Sequence, residues 1–106
     1  MSLTNERICE ILGMLPSREQ VSLLEDFEVD RLCRLVEDTT DPSLIHNLTK
    51  TRHLRVQEKV LYNPSVSDET LKWVAMHGSL LVRVFAEKTL AERKATREKD
   101  INELLG

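Results

Sequence analysis

Apolar residues recur every three or four positions along most of the chain, which is the spacing of one face of an α-helix. The pattern is clearest from Asn63 to Leu90. There Asn63-Pro64 ends one helix, Ser67 is placed to cap the next, and Gly78 offers a left-handed cap before Ser79 opens another. We predict a helical hairpin whose buried face holds Leu71, Val74, Ala75, Leu81, Val82, Phe85, Ala86 and Thr89.

The residues before this hairpin carry similar but weaker signals. Thr4 is placed to cap a leading helix that Pro16 ends, Ser17 with Gln20 forms a capping-box pattern, and Asp41 precedes a proline suited to the first turn of a helix. A change in the phase of the apolar stripe predicts a turn between the second and third helices. The inward positions are Ile8, Ile11, Leu12, Leu15, Val21, Leu23, Leu24, Val29, Leu32, Cys33, Val36, Leu44, Ile45, Leu48, Leu54, Val56, Val60 and Leu61.

Two of these hairpins align with each other at an offset of 26 residues, as from Ile45 to Leu71. The first hairpin aligns less well, at an offset of 24, as from Val21 to Ile45. Because one hairpin cannot bury its apolar face alone, we expect the hairpins to stack. At the offset of 26, the aligned pairs are Ile45 with Leu71, Leu48 with Val74, Val56 with Val82, and Val60 with Ala86.

Two segments carry recognisable motifs. Val56–Ser67 reads VQEKVLYNPSVS, a valine-led helix that runs into Asn-Pro-Ser, and Leu81–Leu90 reads LVRVFAEKTL, with a Val-Arg pair. Both resemble the short α-solenoid repeats of the HEAT and leucine-rich-repeat-variant kind. The aspartate usual before the Val-Arg pair is absent. The resemblance implies a scaffold used mostly for protein binding and occasionally for nucleic acid, in which Arg83 holds adjacent repeats together.

The predicted fold is therefore all-α. It is a short, right-handed, α-solenoid-like stack of about three helical hairpins, with a leading helix and a long C-terminal helix. We expect residues 1–106 to form one domain, in which residues 91–106 extend the last helix as a charged tail without proline.

Composition and charge narrow the function classes. Hydrophobic residues make up 41% of the chain and charged residues 31%, as in soluble globular proteins. The net charge of −3 is uneven: residues 1–40 carry nine acids and four bases, whereas residues 41–90 carry five acids and seven bases. No apolar run approaches the roughly 20 residues of a membrane span, and the N-terminus lacks a signal-peptide pattern. We expect a cytoplasmic protein.

Candidate catalytic and metal-binding residues are scattered. Cys9 and Cys33 form no CxxC motif, and His46, His53 and His77 are not spaced to place two on one helical face. The chain has no glycine-rich phosphate loop and no GxSxG motif. We expect free, buried thiols, no metal, no cofactor and no enzymatic activity.

Candidate binding residues fall into three groups. Arg55, Lys59 and Tyr62 share the face of their helix opposite Val56 and Val60, and form an exposed basic and aromatic stripe. Trp73 is read either as the edge of the core or as an interface anchor. The third group is apolar and lies in the tail: Ile101, Leu104 and Leu105. These residues could fold back on the stack, form a dimer or dock on a partner, and the sequence leaves all three open.

These observations favour a non-catalytic protein-binding module, an adaptor or regulatory protein. The basic stripe suggests a partner with an acidic face, and the tail raises a homodimer through the C-terminal helix as an alternative. The second hypothesis is nucleic-acid binding by the basic middle segment, which the modest charge of that segment makes less favoured. Its residues would be Lys50, Arg52, Arg55, Lys59 and Arg83.

Overall fold

The computed structural model describes residues 4–105, and seven α-helices account for most of them. None of these described residues forms a strand, which confirms the all-α prediction. No helix within the described range is both long and apolar enough to cross a membrane. The helices are α1 (Asn5–Gly13), α2 (Ser17–Glu25), α3 (Val29–Asp38), α4 (Pro42–Thr49), α5 (Leu54–Tyr62), α6 (Asp68–His77) and α7 (Leu80–Leu105).

The helices pack on their next-but-one neighbours in two layers. One layer contains α2, α4 and α6, and the other contains α1, α3, α5 and α7. This is the arrangement of stacked hairpins behind a leading helix, as predicted. The hand of the stack stays a prediction. The described chain is elongated, 57 × 29 × 21 Å, with the long helix α7 at one end of the stack.

Side-chain caps mark the starts of α1, α4 and α6. Thr4 accepts a hydrogen bond from the Arg7 amide (3.2 Å), Asp41 from the Ser43 amide (3.0 Å), and Ser67 from the Thr70 amide (3.1 Å). Each bond satisfies an amide that has no partner inside its own helix. The predicted turn between α2 and α3 is confirmed, because α2 ends at Glu25 and α3 begins at Val29.

The capping box predicted at Ser17 and Gln20 is wrong. Pro16 occupies the capping position of α2, and Gln20 faces inward and is buried. Its amide nitrogen donates to the Leu12 carbonyl at 2.7 Å, and its amide oxygen accepts from the Asn47 side chain. Gln20 therefore joins the end of α1 to α4, since a buried amide needs partners for both of its ends.

The core follows the predicted stripes with a few exceptions. Ile8, Leu12, Leu24, Leu32, Val36, Leu44, Ile45, Leu48, Val56, Val60, Leu71, Val74, Val82 and Ala86 are buried. Leu54, Leu81 and Phe85 were predicted to face inward but are 49%, 61% and 43% exposed, and Ile11 and Leu23, also predicted inward, are exposed as well. Because α7 is the last helix of the stack, only the side with Val82 and Ala86 is covered, and Leu81 and Phe85 lie beside it.

Gly78 ends α6 without the predicted left-handed cap. Its backbone is extended, with φ −76° and ψ 173°, a conformation open to any residue. Glycine is required here because there is no room for a side chain. A Cβ atom would lie 2.7 Å from the Val74 carbonyl oxygen and 3.3 Å from a methyl group of Val82. The missing side chain lets α7 start directly against the end of α6.

Helix α7 confirms the predicted extension of the last helix. It runs for 26 residues, which is about 39 Å at the usual helical rise. Arg93 donates to the Val66 carbonyl (2.7 Å) and to Asp68 (3.0 Å), and Arg97 pairs with the same carboxylate at 3.0 Å. These bonds attach the middle of α7 to the start of α6, and residues 98–105 beyond them are exposed.

Candidate protein-binding site

The predicted stripe on α5 lies on the surface beside α3. Arg55 pairs with Asp30 at 2.8 Å, and Lys59 pairs with Glu37 at 2.8 Å. The structure therefore brings Arg55, Lys59 and Tyr62 together, as expected, but sets an acidic residue of α3 against each cation. The positive charge predicted for this face is locally balanced.

These two ion pairs are exposed and therefore weak. The four side chains keep between 47% and 70% of their surface in solvent, where water screens the charges and such pairs contribute little to stability. The hydrogen bond to Glu37 raises the pKa of the Lys59 ammonium above its ordinary value. The pairs bridge α5 and α3, while water or a binding partner can still take the place of either carboxylate.

A cleft of about 390 Å³ opens next to this stripe, where α3 ends and α5 turns toward α6. Tyr62 stands at the cleft and is 78% exposed, so most of its ring faces solvent. Asn63 anchors the turn, because its side-chain nitrogen donates to the carbonyls of Val36 (2.6 Å) and Thr39 (2.9 Å). The residues lining the cleft are Glu37, Thr39, Thr40, Lys59, Tyr62, Asn63, Pro64 and Ser65.

Trp73 lies apart from the stripe, on α6. It is half-buried and packs against the core, with its ring edge-on to His46 at 6.2 Å between centroids and tilted against His77 at 4.7 Å. His46 also hydrogen bonds to Thr70 (2.9 Å), and burial lowers the pKa of His46. Trp73 therefore forms an edge of the core, and a role in binding stays a prediction.

The third predicted group, Ile101, Leu104 and Leu105, is exposed near the end of α7. The three groups lie on different helices, with Tyr62 at the end of α5, Trp73 on α6 and the third group near the end of α7. Sequence reasoning missed a further set of exposed apolar residues around the start of α7. The signal for it is present, since LLVRVFA is apolar on more sides than one buried face requires. The set is Met76, Leu80, Leu81, Val84 and Phe85.

Arg83 acts inside one hairpin. Its side-chain nitrogen Nε donates to the Ala75 carbonyl at 2.8 Å, which ties α7 to the last turn of α6. The role implied by the resemblance, a link between adjacent repeats, does not match this bond. Asn47, Asn63 and His46 make side-chain hydrogen bonds between adjacent hairpins, in addition to the two ion pairs between α5 and α3.

The remaining candidate residues for chemistry are dispersed. Cys33 is buried, as predicted, but Cys9 is only half-buried, and partial burial raises the pKa of its thiol. Among residues 4–105, no group of three or more histidine, cysteine, aspartate or glutamate side chains could hold a metal ion. The absence of a cofactor and of enzymatic activity stays a prediction.

The features that distinguish this chain are thus a helical stack, a polar cleft with an exposed tyrosine, and a long terminal helix. Comparisons of the chain with models of protein families, with characterised proteins and with solved structures gave no match.

Proposed function

We propose that this chain is a non-catalytic protein-binding module whose partner contacts the outer face of α5. The observation that carries the proposal is the exposed ring of Tyr62 beside the cleft of about 390 Å³. Tyrosine and arginine are the residue types that most often dominate binding energy, together with tryptophan. Here Tyr62 is flanked by Lys59 and, one turn further, by Arg55.

The ion pairs of Arg55 and Lys59 with α3 determine what charge a partner of this face should carry. A uniformly acidic face would meet Asp30 and Glu37 as well as the two cations, so attraction and repulsion would largely cancel. A partner with mixed charges can bond to either member of each pair while it covers the tyrosine ring. The acidic partner expected from sequence therefore becomes, in this proposal, a partner with an apolar centre and a mixed-charge rim.

The repeat character of the stack belongs to the same proposal. We infer that α4–α5 and α6–α7 are repeats of the HEAT-like kind. In support, Gln57 donates to the Thr49 carbonyl (3.5 Å) and Arg83 to the Ala75 carbonyl (2.8 Å), so donor and acceptor both recur at the offset of 26 residues. Stacked repeats present side chains on an extended surface, which suits protein recognition.

Nucleic-acid binding has less support. Of the five cations in that hypothesis, Arg55 and Lys59 face carboxylates, and Arg83 is bonded to a backbone carbonyl. A phosphate backbone would have to displace these partners. Binding that depends on several phosphate contacts also weakens steeply with salt, which separates the two hypotheses by experiment.

A photo-cross-linking residue placed at position 62 in the full chain tests the proposal. We expect it to capture a discrete protein in extracts of the source cells, whereas the same residue at Lys72, exposed on α6, should not capture that protein. The captured protein is then purified. Tyr62→Ala should weaken its binding by roughly tenfold or more, as for a hot-spot residue, and Lys72→Ala should leave it unchanged.

Two results would count against this function. Equal affinity of Tyr62→Ala and the unmodified chain for the purified protein would remove the α5 face as the binding site. Tight binding to RNA or DNA with a steep salt dependence, lost in a variant with Arg55→Glu and Lys59→Glu, would favour the nucleic-acid hypothesis instead.

A further inference from the structure

The outer face of α7 carries a continuous row of exposed residues spaced alternately three and four apart. This is the spacing of the seam positions in a coiled coil, where apolar or matched residues meet a second helix. The row runs almost the full length of the helix, and every member is exposed. Its members are Leu81, Val84, Lys88, Ala91, Ala95, Glu98, Asn102 and Leu105.

This row lies on the side of α7 opposite the core. Val82 and Ala86 are buried on the inner side, and Arg93 bonds to α6 from the same side. An outer row would normally be polar at the end of a helical stack, because end helices face water. Here both ends of the row are apolar, with Leu81 61% exposed and Leu105 82% exposed.

We propose that the outer face of α7 pairs with the same face of a second copy of this chain, with the two helices antiparallel. A two-fold axis between Ala91 and Ala95 places each residue of the row opposite a matching one. Leu81 meets Leu105 of the second copy, and Ala91 meets Ala95. Such an interface is self-complementary, as two-fold symmetry requires.

The charges along the row favour a second copy of this chain as the partner, and they favour antiparallel over parallel helices. In this register Lys88 lies opposite Glu98 of the second copy, and symmetry repeats the pair. A parallel pair would instead set Lys88 against Lys88 and Glu98 against Glu98. Opposite charges at such positions favour one orientation, and like charges exclude the other.

The residues that flank the row follow the same rule. With the helices antiparallel, Glu87 of one copy faces Lys94 of the other, and Glu92 faces Lys99. A parallel pair would bring Glu87 to Glu92 and Lys94 to Lys99. All of these flanking residues are exposed in the single chain.

The same register uses part of the exposed apolar surface at the two ends of α7. Leu80 faces Ile101 of the second copy beside the contact between Leu81 and Leu105. The small alanines at the centre let the two helix backbones approach closely but bury little area, so we expect a dimer that dissociates on dilution. This proposal is independent of the α5 face, which lies on a different helix.

Sedimentation equilibrium of the full chain and four variants tests the pairing. The unmodified chain should show a monomer–dimer equilibrium. Lys88→Glu and Glu98→Lys should each raise the dissociation constant by roughly tenfold or more, because each places two pairs of like charges in the interface. The double variant, which carries both substitutions, should restore the dimer, since each pair of facing positions then holds opposite charges again. Glu103→Lys, exposed on α7 outside the row, is the matched control and should behave like the unmodified chain.

Circular dichroism of each variant checks that the helices are retained, as expected for exposed positions. Three results would overturn the proposal: an unmodified chain that stays monomeric at the highest soluble concentration, a dimer unaffected by Lys88→Glu, or a folded double variant that remains as monomeric as its parents. The last result would exclude the antiparallel register in particular, because only that register restores the pair.

Discussion

At the residue scale, the glycines that end α1 and α6 differ in what surrounds them. Gly78 is closely packed. An added Cβ would lie 2.7 Å from the Val74 carbonyl oxygen, which cannot move without disturbing α6. Gly13 has no atom within 4 Å of the same position, and its conformation is helical. The two positions therefore respond to alanine in opposite directions.

We expect Gly78→Ala to lower the free energy of unfolding by about 1–3 kcal/mol, the usual cost of forcing extra volume into a packed site. Gly13→Ala, the matched control, should raise it by about 0.5–1 kcal/mol, because alanine favours helix more than glycine does. Urea unfolding followed by circular dichroism measures both. A neutral Gly78→Ala would mean that the junction between α6 and α7 is looser than the close approach to Val74 indicates.

Asn63 shows how a residue that ends a helix also fastens one hairpin to the next. Its buried amide donates to two carbonyls at the end of α3, and its oxygen accepts from the Ser65 amide at 2.8 Å. The same residue therefore ends α5, shapes the turn toward α6 and holds that turn against α3. Removing its amide leaves buried carbonyls without donors.

We expect Asn63→Ala to reduce the free energy of unfolding by about 2–3 kcal/mol, since two buried hydrogen bonds are lost together. Asn5 offers a matched control, because its side-chain nitrogen makes an exposed hydrogen bond to Asp38 at 3.0 Å. Asn5→Ala should change stability by about 0.5 kcal/mol or less. Equal losses in the two variants would show that the anchoring of the turn contributes little.

The elements were predictable where the signal is local. Pro16, Pro42 and Pro64 interrupt the apolar stripes, and Thr4 and Ser67 supply caps, so several helix boundaries followed from a few neighbouring residues. The errors concern contacts made through space. The inward turn of Gln20 and the crowding at Gly78 depend on residues of other helices, which no local pattern specifies.

The candidate site divides in the same way. Helical spacing alone placed Arg55, Lys59 and Tyr62 on one exposed face of α5, and the structure agrees. The carboxylates that balance the two cations come from α3, so they become visible only once the helices are packed. The exposed row on α7 was missed for another reason. Its first residues are apolar, so the sequence pattern predicted that they face the core.

At the scale of the whole molecule, hydrogen bonds connect each part of the stack to the next. Asn47 reaches Gln20, Asn63 reaches the end of α3, and His46 reaches Thr70. Each link joins neighbouring hairpins only, so stability should be highest in the middle of the stack and lowest at its ends. Beyond Arg97, the end of α7 lies outside this network in the part of the chain that the structure describes.

Amide hydrogen exchange is the most direct test of the central claim, that α1–α7 form one helical stack and that the end of α7 projects from it and can pair with a second copy. In dilute protein, amides of α4 and α5 should be the most protected, and those of residues 98–105 should exchange rapidly. Raising the protein concentration should protect residues 98–105 in the unmodified chain but not in Lys88→Glu. Protection of residues 98–105 equal to that of α5 in dilute Lys88→Glu protein would contradict this structure, because the end of α7 would then belong to the core.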